Sequence, residues 1–358
     1  MTRSRRILFR IVALGLVLAF GELVSWFVLA KIVPDWDQQR RAWSGQGIPT
    51  SQQYRMIGQP YLLMVPCPGW TDGSGVVQHN MQGFRGAAVP LARTPGVARV
   101  LCLGGSTTYG TSVPLPEQSY PAVLESLLKR DVPRGWSGVE VINAGAAAAA
   151  SSEHLTYYEF KFRYFKPDVL VLEVGGNDGY AETTVDYQPD YSHLRQEMRR
   201  PQQLGVPGRW IARTHLGGLF LAILIRGNET RDFTFKHYGG PTVRWYERGP
   251  DERDANPAYR RNIEAICTLA AEDGVKILLM PFRARPDNSF SPEMRAAVAR
   301  NEEVTKEIAA KRALPLAPMP AGAIGAGHWA DDTCHLNPDG ERDKAAHVEP
   351  FVRKLLEK

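Results

Sequence analysis

From Val97 onward the chain repeats one pattern: a short, continuously apolar run ending in small residues, followed by a stretch with helical spacing. The apolar runs are VARVLCLGG, VEVINAG, DVLVLEVGG and VKILLMPF. Runs this short and apolar on both faces fit strands that are covered on both sides, the condition of a parallel sheet. The intervening YPAVLESLLKR, SSEHLTYYEFKFRYF and NIEAICTLAAEDG are long enough to be the crossover helices that parallel neighbours require. The pattern therefore predicts an α/β domain over residues 97–358, a three-layer α/β/α sandwich around a central parallel sheet. A helix from about Pro292 to Lys311, the segment LPLAP, and a last helix with Asn337 as N-cap and Pro338 at its first position complete it.

The N-terminus imposes a second constraint. Residues 1–10 form a basic tail, and the run from Ile11 to Ala30 supplies the ~20 apolar residues a helix needs to cross a bilayer. Its one carboxylate, Glu22, costs only ~2.5–3.5 kcal/mol on the insertion scale, which the surrounding Leu, Val, Phe and Ile offset. Arg3, Arg5, Arg6 and Arg10 precede the run and Asp35 and Asp37 follow it, so the positive-inside rule places residue 1 in the cytoplasm and everything after about Pro34 outside. Val28 and Ala30 offer a small-residue cleavage pattern, but the run exceeds the ~7–15 residues of a signal-peptide core. Residues 11–33 are read as an uncleaved transmembrane signal anchor, and the domain as extracytoplasmic at the cell membrane.

Residues 34–96, rich in Gln, Pro and Gly, read as a connector packed on the domain. An insertion over about 183–255 contains the apolar decamer LGGLFLAILI, too short to span a membrane and expected to be a helix buried under a loop excursion. With 44% hydrophobic and 23% charged residues the chain lies in the globular range, and the net charge of +5 is scattered, so nucleic acid is not an expected partner. Cys102 and Cys267 sit in apolar runs and are expected to pack as small hydrophobes, whereas Cys67 and Cys334 remain a conceivable disulfide. The oligomeric state is not legible.

In open α/β sheets chemistry collects beyond the carboxyl ends of the strands. After the first strand GGSTTYG places Ser106 in a tight turn at the start of a helix, whose dipole favours developing negative charge. NAGAAAAASS follows the second strand, and GGND leaves the Asn177 amide at the tip of the third, a donor of the kind an oxyanion hole requires. Just before the last helix, DTCH puts Asp332 three residues ahead of His335, where a carboxylate orients an imidazole base. Each motif alone is commoner as a cap or turn. Their conjunction, in one chain order at successive strand ends, is not.

The blocks GGST, NAG, GGND and DTCH resemble those of the GDSL/SGNH hydrolase family over Val97 to the C-terminus, excluding the insertion, and NMQGFRG (residues 80–86) resembles the lead-in of its membrane-anchored bacterial-type members. The resemblance implies the flavodoxin-like form of the sandwich, an acyl-enzyme mechanism and no cofactor or metal. It implies Ser106 as nucleophile, His335 as base, Asp332 as its orienter, and the Ser106 N–H and Asn177 side chain as oxyanion donors. Two positions depart from the family: Gly105 stands where the motif name has Asp, and Ala148 stands where a glycine five residues after Asn143 is the third donor. Ala148 and Gly145 are the candidates for that donor; alanine has the N–H but is strained if the turn needs positive φ.

The expected activity is a serine esterase or acyl hydrolase acting on a small-molecule or glycan ester, such as a carbohydrate O-acetyl. An O-acyltransferase on envelope polysaccharide and a non-catalytic carbohydrate-binding module are the alternatives. A phosphate loop is nearly matched by Gly105 to Gly110 but lacks its lysine, and a metal site of His328, Asp331, Asp332 and His335 lacks HExxH-type spacing. The topology has a direct check. Alkaline phosphatase fused after residue 358 is expected to be active in cells, and an inactive fusion beside an active cytoplasmic reporter reverses the orientation.

Overall fold

The computed structural model describes residues 2–32, 37, 40, 41, 44, 55–59, 63–183, 187, 189, 191, 206–226, 257–320 and 322–357. In chain order its elements are α1 (Arg3–Phe27), β1 (Met56–Gln59), β2 (Leu63–Pro66), β3 (Val97–Gly104), α2 (Ser106–Tyr109), α3 (Tyr120–Arg130), β4 (Gly138–Gly145), α4 (Ser151–Phe160), β5 (Val169–Val174), α5 (Gly176–Thr183), α6 (Val206–Ile211), α7 (His215–Arg226), α8 (Pro257–Glu272), β6 (Lys276–Pro281), α9 (Pro292–Arg312) and α10 (Pro338–Leu356). The chain divides into two units, Met1–Gln53 with Leu194–Pro241, and Tyr54–His193 with Thr242–Lys358. The segments read as connector and insertion are thus each shared between the units. The connector also contains an antiparallel hairpin, β1 with β2, that its composition did not signal.

In the larger unit the four strands of the main sheet are parallel and ordered β4-β3-β5-β6, and Leu316 of LPLAP bridges Leu279 in parallel at the β6 edge. Numbered by appearance the four strands run 2-1-3-4, with Leu316 bridging at the fifth place of the flavodoxin-like order 2-1-3-4-5. Side chains alternate between two cores. Leu101, Leu103, Leu170, Leu172, Ile277 and Leu279 pack against Tyr157 of α4, Ile263 and Ile266 of α8 and Ile308 of α9. Val100, Cys102, Val169, Val171, Leu278 and Met280 pack on the other side against Leu124 and Leu128 of α3 and Val348 and Val352 of α10. Covering both faces is why each strand reads as an unbroken apolar run. Cys102 and Cys267 are buried in these cores, and Cys67 and Cys334 are separate thiols.

The smaller unit contains α1, which continues through a π-helical turn at Val28–Ile32. Over Arg3–Ile32 its mean hydropathy reaches 2.3, and it is long and apolar enough to cross a membrane. The decamer forms most of α7, yet Phe220, Ile223 and Leu224 are exposed, so the expectation of a buried helix fails.

One buried cation pins the amino ends of the strands. Arg99 of β3 is fully buried and lies opposite Glu140 of β4, which its Nε reaches at 2.5 Å. Its guanidinium also donates to the carbonyls of Phe165 and Pro90, and Asp168 accepts the Arg99 N–H at 2.8 Å. Removing the cation strands a carboxylate and several carbonyls in a low-dielectric site. Arg99→Leu is therefore expected to cost about 3–5 kcal/mol, read as a fall in the urea midpoint at unchanged m-value.

Candidate active site

Three strand ends converge on one place. The register pairs Gly104 of β3 with Gly145 of β4 and Leu103 with Leu172 of β5, so the turns after all three strands lie side by side. Ser106 opens α2 directly beyond β3. A Cβ at Gly145 would lie 2.2 Å from the Tyr109 backbone nitrogen, so only glycine lets α2 rest on the end of β4. At its far end α2 is held by Arg85, whose guanidinium donates to the carbonyls of Tyr109, Gly110 and Val113. Asn143 donates to the Tyr109 carbonyl at 3.3 Å as well. The arginine comes from NMQGFRG; that lead-in braces the helix carrying the serine.

Ser106 Oγ lies 2.8 Å from His335 Nε2, and His335 Nδ1 lies 2.5 Å from Asp332 Oδ2. The other carboxylate oxygen of Asp332 accepts the backbone N–H of Cys334 at 2.9 Å and of His335 at 2.8 Å. Partial burial opposes ionisation of Asp332, but these N–H groups and the imidazole outweigh it and hold the carboxyl below its usual range. In the tautomer this geometry favours, Nδ1–H donates to Asp332 and Nε2 accepts the serine proton. His328 is engaged elsewhere, with Asp343 at 2.6 Å.

Asn177, in the first turn of α5, donates through Nδ2 to the Ala149 carbonyl at 2.8 Å, which leaves its second amide hydrogen free for another acceptor. Its neighbour Asp178 is buried and accepts the Ser151 N–H at the start of α4, the Ser151 hydroxyl at 2.5 Å and the Tyr191 hydroxyl at 2.9 Å. Burial pushes this carboxyl up to about 6 despite those bonds. The two residues thus tie the α5 turn to the loop Ala146–Ala150. Within that loop Ala148 adopts φ 62°, the left-handed conformation that costs an alanine roughly 1–2 kcal/mol. Gly145 differs: its N–H donates to Asn143 Oδ1 at 3.1 Å within the strand end.

The absence of Asp at position 105 has a steric counterpart. A Cβ there would stand 2.7 Å from Asn177 Nδ2. Beside Ser106 and Asn177 opens a pocket lined by Val174, Tyr180, Phe282, Phe290, Met294 and His154. Burial pushes the His154 imidazole down to about 3, and its Nδ1 has no hydrogen-bond partner among the described residues.

Beneath α2 lies a buried ion pair that sequence reading missed. Glu173 of β5 accepts both Lys344 Nζ, at 2.7 and 2.8 Å, and the Thr108 hydroxyl at 2.5 Å, while Lys344 also donates to the Thr107 carbonyl at 3.1 Å. The signal was a lone glutamate inside the apolar run VLVLEV. Asp332, Cys334 and His335 also form the one metal-type group among the described residues, with ligand atoms within 4.8 Å of one another. Both ring nitrogens of His335 are already engaged, and burial pushes the Cys334 thiol up to about 11, so its sulfur stays protonated. Asp332 and His335 are thus engaged with each other and with Ser106.

Residues 102–342 match the family described as GDSL-like Lipase/Acylhydrolase. The chain belongs to that family. No curated protein matches it. Among solved structures, a putative lipolytic protein of the G-D-S-L family from Desulfitobacterium hafniense is 13% identical, with 72% of this chain and 99% of the other covered at a TM-score of 0.41. An acetylxylan esterase from Geobacillus stearothermophilus is 15% identical, covering 73% and 95% at 0.44. A lipase/acylhydrolase from Enterococcus faecalis is 14% identical, covering 72% and 96% at 0.44.

In this GDSL-like hydrolase Gly105→Asp is expected to push the Asn177 amide aside and lower kcat by about 10²–10³, the cost of one displaced oxyanion donor. Ala148→Gly, which only relieves strain, is expected to leave kcat unchanged or higher. Both are read on one activated ester, and a large fall for Ala148→Gly with none for Gly105→Asp would move the oxyanion site elsewhere.

Proposed function

We propose that the protein is a membrane-anchored serine ester hydrolase whose nucleophile is Ser106, with His335 as general base and Asp332 as its orienting carboxylate. The observation that carries this reading is the continuous relay Ser106–His335–Asp332, with separations of 2.8 and 2.5 Å. Ser106 Oγ attacks the ester carbonyl while its proton passes to His335 Nε2, and the imidazolium formed is stabilised by Asp332. The tetrahedral oxyanion is met by the Ser106 N–H at the start of α2, the free amide hydrogen of Asn177 and the Ala148 N–H. His335 then protonates the leaving alkoxide, the acyl group remains on Ser106, and a water activated by the same imidazole releases the acid.

The substrate class is a small-molecule or glycan ester. A carbohydrate O-acetyl suits it, because an extracytoplasmic domain tethered by residues 11–33 would meet envelope polysaccharide. The regions proposed are a cytoplasmic tail to residue 10, the anchor, a connector to residue 96, and the hydrolase domain from 97 to 358 with its insertion at 183–255.

The test uses the full chain in detergent, with a fluorophosphonate probe and p-nitrophenyl acetate. Labelling of Ser106 and turnover are expected, with His335→Ala lowering kcat by ~10³-fold or more and His328→Ala leaving it nearly unchanged. No labelling and no turnover by folded protein would leave a carbohydrate-binding module. Turnover that rises with an added sugar acceptor, with the acyl group recovered on the sugar, would mark a transferase.

A further inference from the structure

The smaller unit, taken by itself, is built inside out relative to a water-soluble helical unit. Large apolar side chains point outward on α1, with Phe20 68% exposed, and equally on α6 and α7, where Trp210, Phe220 and Ile223 are 61%, 57% and 63% exposed. One ion pair lies inside it. Asp37 and Arg40 are 8% and 3% exposed and bonded at 2.9 Å, and Arg40 also donates to the carbonyls of Ala212 and Arg213 just after α6. Glu22, the carboxylate in the apolar stretch of α1, accepts the first two N–H groups of α7, from His215 at 2.7 Å and Leu216 at 2.8 Å, as well as His215 Nδ1 at 2.7 Å.

Apolar side chains outward, with Asp37 and Arg40 paired inside and Glu22 bonded to α7, is what a segment surrounded by hydrocarbon needs, because lipid offers no hydrogen bonds. Water requires the reverse. The covered face of α1 is Gly21, Glu22, Ser25 and Leu29, a helical stripe that begins where Leu216 approaches Gly21. At ~1.5 Å per residue α7 is ~18 Å long against a hydrocarbon core of ~30 Å, so it enters a bilayer without crossing it. Trp210, with the Arg213 guanidinium 3.9 Å above its ring, is the pairing expected where a helix meets the headgroups.

We infer that α6 and α7 insert into the bilayer beside α1, with the lipid acyl chains as the partner of their exposed apolar face and the α7 N-terminus capping the anchor's Glu22. The inference rests on α1 itself lying in the membrane. The insertion is then a second point of membrane attachment for the hydrolase.

The experiment uses the full chain in vesicles of phosphatidylethanolamine and phosphatidylglycerol, a photoactivatable hydrophobic azide partitioned into the acyl region, and mass mapping of labelled peptides. Residues 206–226 are expected to be labelled as strongly as 3–32 and roughly tenfold above 257–272 of α8, the contrast expected between hydrocarbon-buried and aqueous segments. Phe220→Lys with Ile223→Lys, at positions that face away from α1, is expected to drop the 206–226 signal to the α8 level while α1 stays labelled. Labelled α1 with unlabelled 206–226 in the unsubstituted chain overturns the inference in favour of a protein partner, and so does labelling that survives both lysines. Absence of label from α1 as well overturns the anchor reading instead.

Discussion

The buried pair of Glu173 and Lys344 is the interaction on which the site depends. Glu173 stands at the end of the central strand β5, Lys344 on α10, and both bond to α2 through the Thr108 hydroxyl and the Thr107 carbonyl. Desolvating two ions is expensive, and the cost is met only where good geometry and further hydrogen bonds satisfy their remaining capacity. Here they do: the carboxylate accepts three bonds and the ammonium donates to two partners. The consequence is positional. Ser106 begins α2 and His335 lies just ahead of α10, so one ion pair sets the distance between two residues that are 229 positions apart in the chain.

A second constraint acts on the far side of α2. His79 is completely buried and bonds Tyr109 at 2.8 Å, while Arg85 fills the carbonyls that end the helix. Burial, followed by the nearby cations Arg55 and Arg85, keeps the His79 imidazole down to about 4 despite its bond to the Cys67 carbonyl, and hence neutral. A four-residue helix has no intrinsic stability, since nucleation alone is unfavourable. The serine is therefore held by its surroundings: Lys344 from beneath, Arg85 and Asn143 at the C-terminal end, and the close approach at Gly145 along its side.

These supports explain what was legible and what was not. The strands could be read because both faces are covered, which makes the runs continuously apolar, and Ser106, Asn177, Asp332 and His335 stood out as candidates because they occupy strand ends and the approach to a helix. Glu173 with Lys344, Arg85 with α2, and His154 in the pocket wall join residues far apart in the chain, and no local spacing encodes such pairs. The α7 decamer misled for a related reason. An apolar run reports that a segment avoids water but not what covers it, and in α7 much of the apolar side lies on the outside of the unit.

The two departures from the family motif are best understood together. Without a Cβ at Gly105, the Asn177 amide lies against the turn that carries Ser106 and reaches the Ala149 carbonyl at 2.8 Å. That bond holds the carbonyl of the residue after Ala148, which is itself kept at φ 62°. A buried hydrogen bond contributes about 0.5–1.5 kcal/mol net, close to the ~1–2 kcal/mol that alanine loses in the left-handed region. Asp178, bonded to Ser151 two residues further on, adds to the same restraint. Alanine is thus tolerated at 148 because bonds to Ala149 and Ser151 fix the chain just beyond it, and a Cβ at position 105 would crowd the amide that makes the first of them. The two departures from the motif thus meet at one side chain, the Asn177 amide, which lies beside Gly105 and bonds the loop that carries Ala148.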